Sequence, residues 1–104
     1  MASGTTPEWM RKLQHHNPEF AGMFESMSKR VLTEGAIPAK YKILMTMIVD
    51  AVMAHPHGCA ALADRARSAG ASEAEILEAI EVAYLFGGTP ALVTALEALS
   101  LEGK

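Results

Sequence analysis

The sequence predicts an all-α fold, a single helical domain of about five to six helices that assembles as an oligomer. Apolar residues recur at helical spacing along most of the chain, and no stretch alternates with a period of two for long enough to form a strand. The 104 residues, 50% of them hydrophobic, fit one domain with one small core. Such a core leaves apolar helix faces to be covered by other copies of the chain.

The first strongly patterned helix is predicted to begin at residues 17–19, Asn-Pro-Glu, which supply a cap, a first-turn proline and a first-turn acid. Its apolar residues follow the spacing of one helix face, and they are Phe20, Met23, Phe24, Met27 and Val31. Gly35 is expected to end it. Residues 1–16 form an N-terminal arm, and the arm's Trp9 and Met10 are expected to pack on the domain or on a neighbouring subunit.

A second helix is predicted from Pro38 to about Ala54, and its apolar residues cover nearly all of its sides. They are Ile43, Leu44, Met45, Met47, Ile48, Val49, Ala51, Val52 and Met53. A helix that is apolar on all sides is typically the central one of a domain. The apolar stretch falls short of the ~20 residues that span a bilayer, so no membrane partner is expected.

Three further helices are predicted in the second half of the chain. The first covers residues 59–69 and ends at Gly70. The second begins at residues 72–75, Ser-Glu-Ala-Glu, which match a capping box, and is expected to end at residues 87–88, Gly-Gly. The third begins at residues 89–90, Thr-Pro.

Composition excludes several classes of function. The net charge of -3 leaves no basic stripe, so a nucleic-acid partner is not expected. The N-terminus has no apolar leader, and a lone Cys59 can form neither an internal disulfide nor a redox pair, which favours the cytoplasm. The glycine pair at 87–88 lacks the remaining residues of a phosphate loop, and no organic cofactor is expected.

Reactive side chains concentrate in residues 55–59, His-Pro-His-Gly-Cys, at the mouth of a helix. His55 and His57 could each exchange a proton with a ligand near neutral pH. The helix N-terminus is expected to lower the pKa of Cys59 towards a reactive thiolate. Two alternatives stay open. The segment could be a polar loop with a small buried cysteine, or His55, His57 and Cys59 could bind a metal, although a structural zinc usually needs four ligands.

Asp50 is the second candidate, because it interrupts an otherwise apolar helix one turn before His55. An Asp–His pair is easily formed at this spacing, and the carboxylate would then fix the tautomer of the imidazole. The alternative is that Asp50 lies on the solvated side of its helix or meets a lysine or arginine of another helix.

Four segments of this sequence resemble the carboxymuconolactone decarboxylase-like superfamily, which includes the alkyl hydroperoxidase D proteins. They are residues 17–20 (NPEF), 31–42 (VLTEGAIPAKYK), 69–80 (AGASEAEILEAI) and 84–91 (YLFGGTPA). The resemblance covers residues 17–98, so we assign residues 17–104 to one domain of this kind. It implies an alkyl hydroperoxidase D-like fold that assembles as homotrimers or homohexamers.

The family's active residues are replaced here. Peroxidase-type members carry a CxxCxxxH motif, whose positions correspond to His55, Gly58 and Leu62, and a glutamate whose position corresponds to Ile43. Decarboxylase members keep the histidine at the position of Leu62. Dithiol peroxidation is therefore not expected. Asp50 follows Ile43 by seven residues, which returns it to nearly the same helix face.

We therefore expect a rebuilt site made of Asp50, His55, His57 and Cys59. Its predicted function is acid–base chemistry on a small anionic or carbonyl metabolite, as in a decarboxylase or another lyase. One alternative is a non-catalytic oligomer that binds a small molecule or a partner. A second is a single-cysteine peroxidase or redox sensor that uses Cys59.

Overall fold

The computed structural model describes residues 6–102 and confirms the all-α prediction, because the described residues form helices and no strand. Five α-helices are followed by one short 3-10 turn. They are α1 (Glu8–His16), α2 (Pro18–Leu32), α3 (Ala39–Val52), α4 (Pro56–Ser68) and α5 (Glu73–Ala95), and the turn covers Leu96–Ala98.

The core is built around α3, which packs against both α4 and α5. Small side chains let these helices approach closely, since α4 contributes Cys59 and two alanines to the core. The largest fully buried side chains are Met47, Ile76, Ile80 and Cys59. The central position predicted for α3 is confirmed. However, only one side of α3 is covered, and Met45, Val49 and Val52 are exposed.

The N-terminal arm contains a helix that the sequence did not predict. Asn17 joins it to α2, because its N–H donates to the Leu13 carbonyl (2.7 Å) while its side chain accepts from the Phe20 N–H (3.2 Å). Met10 is buried, and the Trp9 and Phe24 rings pack edge to face with their centroids 5.7 Å apart. α1 and α2 thus form a helical hairpin, and α2 makes few contacts with α3.

The connection between α3 and α4 is shorter than predicted. Pro56 occupies the first turn of α4, where its missing N–H costs nothing, so the helix begins there rather than at Cys59. His57 and Gly58 therefore lie in the first turn of a helix and not in a loop. Met47 lies beside Cys59, and Asp50 lies beside Gly58, so α3 and α4 run antiparallel.

The capping box predicted at the start of α5 is present, with Ser72 and Glu75 exchanging hydrogen bonds of 2.9 and 3.1 Å. The predicted end at residues 87–88 is a kink, where Gly88 has a φ of 80°. By length and composition, Glu73–Ala98 could cross a membrane. However, the kink at Gly88 divides this segment into two helical parts, and each is shorter than the ~20 residues that span a bilayer. One face of α5 also packs in the core.

Polar contacts hold the helices in register. The Lys42 ammonium donates to the last carbonyls of α2, those of Val31 and Thr33, at 2.9 and 3.0 Å. Lys40 pairs with Glu75 of α5 at 3.1 Å, so each of these two lysines connects α3 to another part of the chain. Arg67 of α4 contacts Glu73 through two guanidinium nitrogens and donates to the Ala98 carbonyl, which joins α4 to the start of α5 and to the 3-10 turn after it.

Candidate active site

A cleft of about 480 Å³ opens where α3 ends and α4 begins. Asp50, His55 and His57 line one part of its wall, and Pro7 and Trp9 of the N-terminal arm line another. The structure therefore brings together three of the four side chains that the sequence singled out. Their catalytic role remains a prediction.

Asp50 and His55 are in hydrogen-bond contact. His55 Nδ1 lies 3.2 Å from Asp50 Oδ1, and the His55 backbone N–H donates to the Asp50 carbonyl at 2.8 Å. Both contacts follow from the helix end, which turns the chain back over the last turn of α3. The Asp50 side chain is 26% exposed and the His55 side chain 56%, so the pair faces the cleft rather than the core.

The carboxylate at Nδ1 determines what the imidazole can do. With Nδ1 donating its proton to Asp50, Nε2 of His55 holds a free lone pair. Nε2 can then take a proton from a ligand in the cleft, and Asp50 stabilises the imidazolium that results. The predicted Asp–His arrangement is therefore present, and the partner of Asp50 is neither a lysine nor an arginine.

Gly58 makes room for this pair. A Cβ at position 58 would overlap the Asp50 carboxylate, so only glycine lets that carboxylate lie against the first turn of α4. The partial positive charge of a helix N-terminus favours a carboxylate there. The contact between Gly58 and Asp50 was not predicted from the sequence.

His57 lies in the first turn of α4 and lines the same cleft. Its side chain is exposed, and within residues 6–102 it makes no hydrogen bond or ion pair. A ligand oxygen in the cleft could therefore accept a hydrogen bond from it, or exchange a proton with it.

Comparison with known proteins identifies the family. The model of the carboxymuconolactone decarboxylase family matches residues 18–101, most of the chain. The chain belongs to the carboxymuconolactone decarboxylase family. A solved structure from Burkholderia xenovorans LB400, of a protein named "putative carboxymuconolactone decarboxylase", has a TM-score of 0.78 and 27% sequence identity to it, with 91% of this chain and 80% of that chain covered. None of the curated proteins matches the chain significantly.

This carboxymuconolactone decarboxylase family member carries no titratable group at two positions that the resemblance marks as catalytic. Ile43, at the glutamate position, is buried in the core. Leu62, at the histidine position, is half-buried and lines a smaller cavity of about 270 Å³ together with Asp50. Asp50 is the titratable residue that faces this small cavity, and its partner His55 lines the neighbouring cleft.

Cys59 does not take part in the cleft. It is the fourth residue of α4 and fully buried, and its Sγ donates to the Met47 carbonyl at 3.6 Å. Burial first, and the charge of Asp50 second, raise the pKa of the Cys59 thiol from 9.0 to about 11. The expected lowering of this pKa by the helix N-terminus is wrong, because desolvation outweighs the helix dipole.

The weaker metal alternative is not supported either. The part of the chain that the structure describes, residues 6–102, holds no group of three or more histidine, cysteine, aspartate or glutamate side chains placed to bind one ion. His55 and His57 face the cleft, whereas Cys59 faces the core, so the three do not converge.

A larger groove adjoins the cleft. Its volume is about 690 Å³, and it runs between α2 and the paired helices α3 and α4. Trp9 lines both the groove and the cleft, and Leu62 lines both the groove and the small cavity beside Asp50. Arg65 follows Leu62 on the same face of α4 and lines the groove opposite α2. Arg65 follows Gly58 by seven residues, about two helical turns, and this spacing could have placed both on one face of α4 from the sequence.

Proposed function

We propose that this protein carries out acid–base chemistry on a small anionic or carbonyl metabolite, with His55 as the proton-transfer group and Asp50 as the residue that orients it. The observation that supports this best is the 3.2 Å contact between His55 Nδ1 and Asp50 Oδ1 at the wall of a cleft. A lyase reaction such as decarboxylation fits this pair, and His57 would hold a ligand oxygen.

In the proposed reaction His55 carries the proton between the ligand's carbon and the enolate, and no organic cofactor takes part. Nε2 of His55 takes the proton from the carbon next to the ligand's carbonyl, and the electron pair of that C–H bond moves to the carbonyl oxygen as an enolate. The imidazolium returns the proton to carbon. In the decarboxylation of a 3-keto carboxylate, the bond between the carboxylate and the carbon next to the carbonyl breaks, CO2 leaves, and the electron pair of that bond forms the same enolate. For this reaction His55 starts as the imidazolium, having taken a proton from water, and gives that proton to the enolate carbon.

Peroxidase chemistry has less support. The two positions of the dithiol are His55 and Gly58, and the one thiol of the chain is buried with a pKa raised to about 11. A thiol that is neutral and enclosed at physiological pH is a poor nucleophile towards a peroxide. The single-cysteine alternative therefore ranks below acid–base chemistry.

A non-catalytic binding protein is the second candidate. The observation that favours it is the number of large apolar side chains that are exposed on α2, α3 and α5, since exposed apolar surface marks sites where a protein binds a partner or a ligand. We propose that further copies of this chain cover these faces in a homotrimer or homohexamer. We also propose the cytoplasm as its location, because the one cysteine is unpaired.

Hydrogen–deuterium exchange tests the acid–base proposal without a known substrate. Keto carboxylates of four to eight carbons are incubated with the protein in D2O, and exchange of the protons next to the ketone is followed by 1H NMR. We expect the wild-type protein to accelerate exchange, and we expect His55→Ala to lose about 100-fold or more of that acceleration. His16→Ala is the matched control, because His16 is exposed at the end of α1 and away from the cleft.

Two further variants separate the role of Asp50 from a structural one. Asp50→Asn keeps a hydrogen-bond acceptor but removes the charge, and Gly58→Ala displaces the carboxylate. Both should slow exchange, and 15N NMR should show His55 losing its fixed tautomer. Equal exchange by His55→Ala and wild type would refute the proposal, and no acceleration by wild type would favour the non-catalytic binding protein.

A further inference from the structure

We propose that the groove beside the cleft binds an elongated, amphipathic carboxylate. Its carboxylate would lie between Lys29 and Arg65, and its apolar body would lie along Trp9, Phe24 and Leu62. Only the placement of the ligand's carbonyl end at His55 rests on the proposed function. The substrate class is therefore an apolar chain or ring system with an anionic group at one end and the reacting carbonyl at the other.

The charges of the groove indicate the sign of the ligand. Lys29 enters the wall from α2 and Arg65 from α4, and neither has an ion pair within residues 6–102. The acid among the described wall residues is Glu25, which accepts a hydrogen bond from Gln14 Nε2 at 2.9 Å. The excess of unpaired positive charge favours an anion, and a guanidinium can hold a carboxylate through two parallel hydrogen bonds.

The remaining wall is mostly apolar. Trp9 and Phe24 form an edge-to-face pair, and Met10, Leu32 and Leu62 also contribute to the surface. A ligand that carried charge along its whole length would lose hydration here without gaining partners. The groove therefore suits a ligand with one charged end and an apolar body, rather than a compact dianion.

The helix geometry sets the length of that ligand. Gly58, Leu62 and Arg65 are spaced i, i+4, i+7 and lie along one face of α4. Gly58 marks the Asp50 end and Arg65 the cationic end, and at the helical rise they are separated by about 10 Å. A straight-chain carboxylate of eight carbons has about this length.

Trp9 makes binding easy to follow. It is the only tryptophan of the chain, and it lines both the groove and the cleft. Titration of the full-length protein with octanoate, below its micelle concentration, should give a saturable change in Trp9 fluorescence. Arg65→Gln and Lys29→Gln should each weaken binding about tenfold or more. Arg30→Gln is the matched control, because Arg30 neighbours Lys29 on α2 but does not line the groove.

A series of probes tests the length and the charge separately. From butanoate to octanoate, affinity should rise by up to about fourfold for each added methylene, because each is buried against the apolar wall. Decanoate should gain little over octanoate. Octan-1-ol, which has the same chain without the charge, should bind more weakly than octanoate to the wild type and equally to wild type and Arg65→Gln.

Three outcomes would overturn the inference: no saturable change with octanoate, equal weakening by Arg30→Gln and Arg65→Gln, or affinity that does not depend on chain length. These failures are distinct from a failure of the proposed function. Proton exchange that depends on His55, in a protein that does not bind octanoate, would refute the groove as the ligand site and leave the acid–base proposal intact.

Discussion

The thiol of Cys59 has its pKa raised from 9.0 to about 11, and this shift has two measurable consequences. At pH 8 the folded chain should hold about 100-fold less thiolate than the unfolded chain, so alkylation by iodoacetamide should be at least that much slower. Between about pH 9 and 11 the unfolded chain loses its thiol proton first. The free energy of unfolding should therefore fall as the pH rises through this interval.

Comparison with Cys59→Ala isolates this effect, since the lysines and tyrosines that titrate in the same interval are present in both proteins. The stability of Cys59→Ala should fall less steeply with pH than that of the wild type. Urea unfolding at several pH values measures it. Alkylation of the folded wild type at the rate of the unfolded chain would show instead that the thiol reaches solvent.

Sequence spacing predicted one half of the candidate site. Asp50 and His55 are one helical turn and a short connection apart, and local spacing of this kind is enough to predict their contact. The sequence could not predict the burial of Cys59, because burial depends on where α4 begins and on which of its faces meets α3. Arg65 and Lys29 were missed for the same reason, since the packing of separate helices brings them to one groove.

At the scale of elements, α3 and α4 end in the same motif with different residues. In each, the backbone N–H groups of the first two residues beyond the cap donate hydrogen bonds to carbonyls of the helix. In α3, Ala54 donates to Ala51 and His55 donates to Asp50. In α4, Gly70 donates to Arg67 and Ala71 donates to Ala66. The residue with positive φ is Gly70 in α4, with 105°, but Ala54 in α3, with 64°. An alanine in this conformation is strained, whereas a glycine is not.

Ala54→Gly should therefore raise the free energy of unfolding by roughly 0.5–1 kcal/mol, after the larger entropy of the unfolded glycine is subtracted. Gly70→Ala should lower it by about 1 kcal/mol. Urea unfolding of the two variants against the wild type measures both. A loss of stability in Ala54→Gly would mean that the strain of Ala54 is smaller than the added chain entropy.

Local chemistry determined which helix boundaries were predictable. The caps at Asn17 and Ser72 lie where the sequence placed them, because each depends on side chains within three residues. α1 was missed, since it is short and Pro7 provides no side-chain cap. The start of α4 was placed three residues late because residues 55–58 suggested a turn, although a proline also favours the first turn of a helix.

At the scale of the whole molecule, apolar stripes remain uncovered. On the part of α5 before the kink, Val82, Leu85 and Phe86 are spaced for one face, and Phe86 is 92% exposed. On α2, Met23 and Met27 belong to a second stripe with Phe20 and Val31. Contiguous apolar surfaces of this extent on a single chain favour burial against other copies, and two separate stripes allow two kinds of interface.

We expect the wild-type protein to form particles of at least three times the 11.1 kDa chain mass, as measured by sedimentation or by light scattering after size exclusion. Phe86→Glu should reduce that mass, because a carboxylate would be buried without a partner in the interface. The same change should lower the free energy of unfolding of an isolated chain only slightly, since the Phe86 side chain packs against almost nothing within the chain. Glu78→Gln, on an exposed part of the same helix, should leave the mass unchanged.

Met27→Glu tests the α2 stripe in the same way. If a hexamer is built from both stripes, Phe86→Glu and Met27→Glu should break it into smaller particles of different mass. If a trimer is built from one stripe, only one of the two variants should change its mass. A wild-type protein that sediments as a monomer would contradict the proposed assembly, and the exposed stripes would then need a different partner.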